Sequence, residues 1–443
     1  MEKNTTEIGK RLDGLPVTAL HLLAVFLCAC GFAFDTLELA LGGILAAVFS
    51  VPPHAVAANE LSLLLASVYI GATLGAPALG WVADRFGRRN TLVGLLAGLG
   101  LTSLAGAATH SALGLTFCRG LGGIAMGAYP PIVIAYLTDL LPPARRGMLV
   151  FSAVAFATLG PPMGIFLVRY LTPLQPLGLE AWRWGFIFGG VGTALVGALF
   201  RFLPESPRWL HSRGLPARAE AACLAFESSR AFLQPAVPRA QPEAAAEAHA
   251  EPSSAPGKRH QAVVAAIFLL SPWATVAFPI LTGAVLAQKG FKLSDTLLMI
   301  GLSWFGPLLG MLLASTSIDR LERRTALGLC AVAMTIAGGC FVASDSQSWL
   351  VVAIVSFSLF SALYVPTLTM YGAELFPTVA RARSIASAWA FNRIGAAIAP
   401  LLLLPLLRSS GAITMFAVIA ATLLLSIVLL AFAPRGRQRL SVN

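Results

Sequence analysis

Gly80, Trp81, Val82, Ala83, Asp84, Arg85, Phe86, Gly87, Arg88 and Arg89 form a short polar stretch between two apolar runs, and the chain writes that stretch twice. Gly75, Asp84, Arg85, Arg88, Arg89 and Leu92 recur at one constant offset as Gly310, Asp319, Arg320, Arg323, Arg324 and Leu327. At the same offset Tyr129, Pro131, Tyr136, Pro142, Arg146, Ser152, Phe156 and Gly160 return as Tyr364, Pro366, Tyr371, Pro377, Arg381, Ser387, Phe391 and Gly395, with no gap. Two related membrane halves are how a secondary transporter builds a central site that opens to alternate sides.

Composition agrees with that reading. Hydrophobic residues make up 57% of the chain and charged ones 12%, with a mean hydropathy of +0.78, far too apolar for an ordinary soluble domain. Windows of about 20 apolar residues, enough for a helix to cross a bilayer, place twelve spans: near 18–49, 60–82, 91–110, 113–138, 147–170, 182–203, 263–288, 294–317, 325–343, 349–373, 383–407 and 411–433. The expected fold is an all-α membrane protein of twelve transmembrane helices in two pseudo-symmetric six-helix halves.

The net charge of +11 invites a nucleic-acid reading, which the location of the cations excludes. With both termini cytoplasmic, most of the 31 lysines and arginines fall in the termini, the central loop and the short loops on that same side, while the opposite side keeps Arg169, Arg183, Lys289, Lys292 and Arg408. This is the positive-inside bias of a multi-pass plasma-membrane protein, a bacterial inner membrane if the source is bacterial. No basic run is interleaved with aromatics as base stacking needs. The six cysteines show no paired spacing in a polar loop, so neither a disulfide framework nor a metal site is expected. The polar N-terminus leads into a long span without a cleavage signature and reads as a retained first helix.

The connections are short except for 204–262, which divides the chain into an N-terminal half, 1–203, and a C-terminal half, 263–443. Gln241, Pro242, Glu243, Ala244, Ala245, Ala246 and Glu247 typify its low complexity. A short amphipathic piece near 217–232 and then a flexible, partly disordered linker are expected there.

Asp84, at the end of the second span and followed by Arg85, Arg88 and Arg89, can latch neighbouring helix ends in one state and release them in another. A lone copy would read as a plain charge anchor; recurrence as Asp319, Arg320, Arg323 and Arg324 removes most of that preference. Here the chain resembles the major facilitator superfamily, whose signature between helices two and three is matched by Gly80 to Arg89. Arg119 with Gly123 and Gly127 looks like that family's motif in helix four. Pro204, Glu205, Ser206, Pro207 and Arg208 resemble the sequence after helix six of its sugar and organic-solute members. Tyr371, Gly372, Ala373, Glu374, Leu375, Phe376, Pro377 and Arg381 resemble the stretch between helices ten and eleven, which adds Glu374 and Arg381 to the latch. The second copy departs at Glu322, where the signature has glycine.

An ionisable side chain inside a span costs about 2.5–3.5 kcal/mol on insertion scales, so each is a functional candidate. Asp35 and Glu38 share a face of span one; Arg119 lies in span four and Arg393 in span eleven. At 1.5 Å per residue the two acids lie roughly 25–30 Å above the cytoplasmic start of span one, and Arg119 roughly 28 Å above the cytoplasmic end of span four. Arg119 is therefore expected to face Asp35 or Glu38, and two acids sharing one cation make a proton site; the alternative is a static ion pair that fixes packing. Arg393, beside Asn392 and roughly 15 Å into its span, has no acid expected within any span of its own half, and its planar fork suits a carboxylate. A guanidinium satisfied by backbone carbonyls at a helix break near Gly395 and Pro400 is the competing reading.

Tyr129 and Tyr364 are repeat-related, and Trp273, Trp304 and Trp389 add aromatic surface at membrane depth. Tyr129, Tyr364 and Trp389 join Arg393 and Asn392 as expected substrate contacts for a flat, partly apolar ligand. Phe34, Asp35 and Thr36 resemble the helix-one pattern of aromatic acid and proton symporters, with Phe32 and Ala33 departing from it. Leu269 to Thr275 lacks the glutamine-rich motif of sugar porters. The function these features imply is proton-coupled import of a small organic anion, an aromatic acid among the options, by a monomer that uses the proton gradient and no cofactor. Gly160, Pro161, Pro162, Met163 and Gly164 resemble the motif of proton-antiport exporters, which keeps export as the alternative. A nontransporting sensor would need a signalling domain that the central loop does not resemble, and no nucleophile triad, metal cluster or phosphate loop suggests an enzyme.

Overall fold

The computed structural model describes residues 2–233, 258–317, 322–375 and 378–432. An outlying helix, α1 (Glu2–Gly14), precedes α2 (Ala19–Val48), α3 (Ala58–Phe86), α4 (Arg88–Ala108), α5 (Ala112–Leu140), α6 (Pro143–Ala157), α7 (Gly160–Leu171) and α8 (Ala181–Leu199). Two short helices, α9 (Pro207–Ser212) and α10 (Pro216–Glu227), follow. The second half runs through α11 (Lys258–Pro272), a π turn (Trp273–Ala277), α12 (Phe278–Gln288), α13 (Leu293–Ser303), α14 (Phe305–Ser317), α15 (Arg323–Ala343), α16 (Gln347–Leu375) and α17 (Thr378–Phe432). The two strands are Val17–Thr18 and Ala231–Leu233, paired antiparallel.

Among the described residues, eleven helical segments are long and apolar enough to cross a bilayer, and the last of them, Ser387–Phe432, has 46 residues. At 1.5 Å per residue it would be about 69 Å long, over twice the hydrocarbon thickness. Gly411, at φ 84°, breaks it into two spans, a conformation that glycine adopts without steric cost. The result is the two-half, twelve-helix arrangement of the major facilitator fold.

Several spans are broken where proline or glycine interrupts the helical ladder. Span five breaks between α6 and α7, ahead of Gly160, Pro161 and Pro162, and the Thr36 hydroxyl donates to the Ala157 carbonyl at 2.7 Å, satisfying an acceptor at the break. Span seven carries the π turn between Pro272 and Pro279, and span eight turns at Trp304. Interrupted helices belong where they line a cavity, and spans seven and eight do so here.

The amphipathic piece expected near 217–232 forms a helix over Pro216–Glu227 and then a strand. The flexible linker expected beyond it falls, for 234–257, outside the described residues, as do Asp319 and Arg320. The side chains of Glu374 and Arg381 also lie outside what is described. The helix α1 has no counterpart in the sequence reading. Ile8 and Leu12 pack on Trp209, Leu210, Ala219, Ala222 and Cys223. Arg11 pairs with Glu220 at 2.8 Å and Glu227 at 2.9 Å, and this hydrogen bonding holds the Glu227 carboxyl below the usual carboxylate range.

Candidate functional site

The four ionisable groups inside the spans gather near the middle of the molecule but do not form the ion pairs that depth alone suggests. Asp35, Glu38 and Arg119 are 3%, 4% and 6% exposed. Glu38 turns into the first half, where its Oε1 accepts from the Ser103 hydroxyl; Gly189 on α8 leaves the room, since a Cβ there would meet the carboxylate. Both terminal nitrogens of Arg119 aim at the Glu38 backbone carbonyl at 3.4 Å, and its guanidinium lies over the Phe186 ring, 5.7 Å from the centroid. A void of about 10 Å³, room for one water, separates Glu38, Ser103, Arg119 and Phe186. Sequence depth brought Arg119 to Glu38, but through the backbone.

Asp35 looks the other way. Among the described residues its Oδ1 is buried without a hydrogen-bond partner, and Arg393, from the second half, acts on it through space without forming a contact ion pair. Tyr69, on α3, sits in the field of both Arg119 and Arg393. The acid that acts on Arg393 therefore belongs to the other half, a relation that azimuth decides and helix depth does not.

Between the halves lies a cavity of about 380 Å³, within the usual range for small-molecule sites. Its walls are mainly apolar, with Leu39, Ala40 and Gly43 of α2 facing Pro279, Ile280 and Ile300. Tyr69, Thr275, Ser303, Ser358 and Ser361 supply hydroxyls, and Trp304 projects from the break in span eight.

In this geometry several expected contacts are engaged with the protein itself. Tyr129 is 1% exposed inside the first half, its ring edge-on to Phe32 at 5.5 Å and its hydroxyl donating to the Cys28 carbonyl at 3.3 Å. Tyr364 is wholly buried in the core of the second half. Their recurrence reflects equivalent packing positions in the two copies, so neither lines the cavity. Asn392 donates to the Ser271 hydroxyl at 2.8 Å and the Phe268 carbonyl at 3.3 Å, tying α17 to α11. Trp389 stands edge-on to Phe268 at 5.8 Å. Trp304 and Tyr69 take the aromatic places at the cavity instead.

At the basic end, the first-copy motif sits in a network reaching beyond the motif itself. Arg88 pairs with Asp139 at 3.2 Å and, more loosely, with Asp84 at 3.9 Å. Arg89 donates to the Arg201 carbonyl at 2.6 Å, and its backbone NH donates to Glu205 at 3.0 Å. Trp209 donates to the Asp84 carbonyl at 2.8 Å, and Arg85 stacks over Trp81. Asp139 and Glu205 were missed as candidates. The repeat held the signal for Asp139, because it is the equivalent of Glu374.

At the opposite end two arginines tie the halves together in crossed fashion. Arg169, closing α7, donates to the Ser294 carbonyl at the start of α13, 3.0 Å away. Arg408, before the break in α17, donates to the carbonyls of Phe49, 3.2 Å away, and Val56. Each half thus reaches from its fifth span to the loop or helix start leading into the second span of the other. Removing both, as Arg169→Ala with Arg408→Ala, is expected to open this end: hydrogen bonds from charged groups contribute about 1.5–3 kcal/mol each, so the open population should rise about tenfold or more. Labelling of an Ala40→Cys variant by an impermeant maleimide from that face checks it; unchanged labelling would show that the clasps do not hold the gate.

The family model described as sugar (and other) transporter matches residues 23–434. The putative metabolite transport protein YyaJ of Bacillus subtilis is 24% identical over 99% of this chain and 98% of its own length. The gallate transporter of Pseudomonas putida is 26% identical over 87% of this chain and 85% of its own. Among solved structures, the inward-open xylose transporter XylE from E. coli has the same fold, with a TM-score of 0.71, 17% identity, and 95% of this chain and 97% of that chain covered.

Proposed function

The chain belongs to the sugar (and other) transporter family, and on that premise we propose that it imports a small organic anion, an aromatic acid, together with protons. The observation that carries the reading is the buried Oδ1 of Asp35, which has no hydrogen-bond partner among the described residues and lies one turn before Leu39 and Ala40 in the wall of a largely apolar cavity. An ionised carboxylate buried without a donor is costly. A proton or the approach of Arg393 relieves that cost, and the two compete. When Asp35 holds a proton, Arg393 is free to take the substrate carboxylate in a charge-assisted fork. When the proton leaves, Asp35 draws Arg393 back and the anion is released. Tyr69, between the cavity and both arginines, passes the change in charge to the ligand.

Charge bias supports a cytoplasmic basic end, with the crossed arginines closing the outer side and the cavity open inward. Relatives from bacteria support a plasma-membrane location, and the gallate relative supports the substrate class. The test is uptake of labelled aromatic acids into proteoliposomes under an imposed pH gradient. Arg393→Ala should raise the apparent KM for an anionic substrate about 10–100-fold, the worth of a charged hydrogen-bonded contact. An unchanged KM for every transported anion removes the role given to Arg393.

A further inference from the structure

The hydroxyls lining the central cavity are not alike. Thr275 donates to the Ser271 carbonyl at 3.0 Å and Ser303 to the Ile300 carbonyl at 2.7 Å, the ordinary way a helix absorbs such a group. Ser358 and Ser361 line the same cavity, are only 8% and 7% exposed, and hydrogen-bond to no protein group among the described residues. Each has carbonyls of the preceding turn of α16 within easy reach, yet neither uses them. They stand three residues apart, on one face of the helix.

A hydroxyl on a nearly buried residue that leaves its local partner and opens onto a cavity is free for one that comes and goes. Across the cavity the walls are apolar, with Leu39, Ala40, Gly43 and Ile280, and Trp304 presents a flat surface at the helix break. The space suits a planar, mostly apolar body with hydrogen-bonding groups on one edge. A sugar, with hydroxyls on all sides, would bury several of them unpaired against the apolar wall. We infer that Ser358 and Ser361 form the subsite for the ring hydroxyls of a hydroxylated aromatic acid. This rests on the proposed transport of an aromatic acid, and it adds which end of the ring each half reads: Arg393 the carboxylate, α16 the hydroxyls.

The experiment is calorimetric binding of benzoate, 4-hydroxybenzoate and 3,4-dihydroxybenzoate to the full-length protein in detergent, for the wild type, Ser358→Ala, Ser361→Ala and the double variant. The dihydroxy acid should bind the wild type about 10–100-fold more tightly than benzoate, at about tenfold per useful hydrogen bond. In the double variant that preference should fall to within about threefold while benzoate affinity stays the same, which also shows that the variant folds. A preference that survives in the double variant, or acids bound equally by the wild type, overturns the subsite and leaves aromatic acid transport standing. A double variant that loses benzoate as well makes the serines packing residues and also overturns it. If none of the three acids binds the wild type, the proposed function falls and takes the subsite with it.

Discussion

Asp35→Asn is expected to abolish accumulation of substrate against its gradient while leaving exchange of substrate for substrate across the membrane. The amide keeps the shape of the carboxyl but takes up and releases no proton, so the competition between a proton and Arg393 for this position disappears. Arg393 is then permanently available to the anion, and binding persists. One proton moving down 100 mV of proton-motive force contributes about 2.3 kcal/mol, so roughly 50-fold of accumulation should vanish per coupled proton. Glu38→Gln should do less, because Glu38 lies within the first half against Ser103 and not across from Arg393. Gradient-driven uptake and counterflow measured on the same proteoliposomes separate the two effects. If Asp35→Asn still accumulates substrate in a manner that collapses with the proton gradient, the coupling group is Glu38 or lies elsewhere.

What the sequence could and could not show follows from the kind of information each signal carries. A repeat at constant offset and apolar windows of bilayer length specify how many helices there are and how they are related, and the fold follows. Depth along a helix is a linear quantity, readable at 1.5 Å per residue, and it put Arg119 level with the acids of span one. Azimuth is not linear, and a small difference sends Asp35 toward the second half and Glu38 into the first. Arg393 looked isolated for the same reason, since the acid that acts on it belongs to the other copy. Recurrence at Tyr129 and Tyr364 coincides with deep burial in each half, because a repeat preserves packing positions as readily as functional ones. The places where helices break, at Trp273–Ala277 and Trp304, were visible only as prolines and aromatics in apolar runs, although they shape the cavity.

Symmetry also has a specific division of work. The crossed arginines at one end and the charged motif at the other lie on repeat-related elements, so the frame that rocks is built from what the halves share. The groups at the middle are not shared: Asp35, Glu38 and Arg119 come from one copy, and Arg393, Ser358 and Ser361 from the other. A ligand held between unlike faces touches both, so a change of charge on one face alters its hold on the other.

Gly123→Ala should destabilise the protein by about 1–3 kcal/mol, the usual cost of overpacking, and disturb the site although it touches no ligand. The helices α3 and α5 form the most extensive pair in the molecule. They approach through glycines from both sides: a Cβ on Gly123 would run into the Val68 backbone, on Gly127 into that of Ala72, on Gly71 into the Gly120 carbonyl and on Gly75 into that of Ile124. In a membrane such close packing replaces the hydrophobic effect as the force between helices. Backbone cannot swing aside as a flexible side chain does, so an added methyl group forces the helices apart. Gly94→Ala and Gly98→Ala on α4 provide the comparison, because a Cβ at either meets open space and alanine improves helix propensity by up to about 1 kcal/mol. Thermal unfolding in detergent should place Gly123→Ala well below the wild type and the α4 variants at or above it; coincident melting of all three would show that the close approach is not limiting. Arg119 lies one turn before Gly123 on α5, and Tyr69 lies beside Val68 on α3. Separating these helices therefore moves the guanidinium from Glu38 and the phenol from the cavity, so proton-driven uptake should fall in Gly123→Ala even at temperatures where it remains folded.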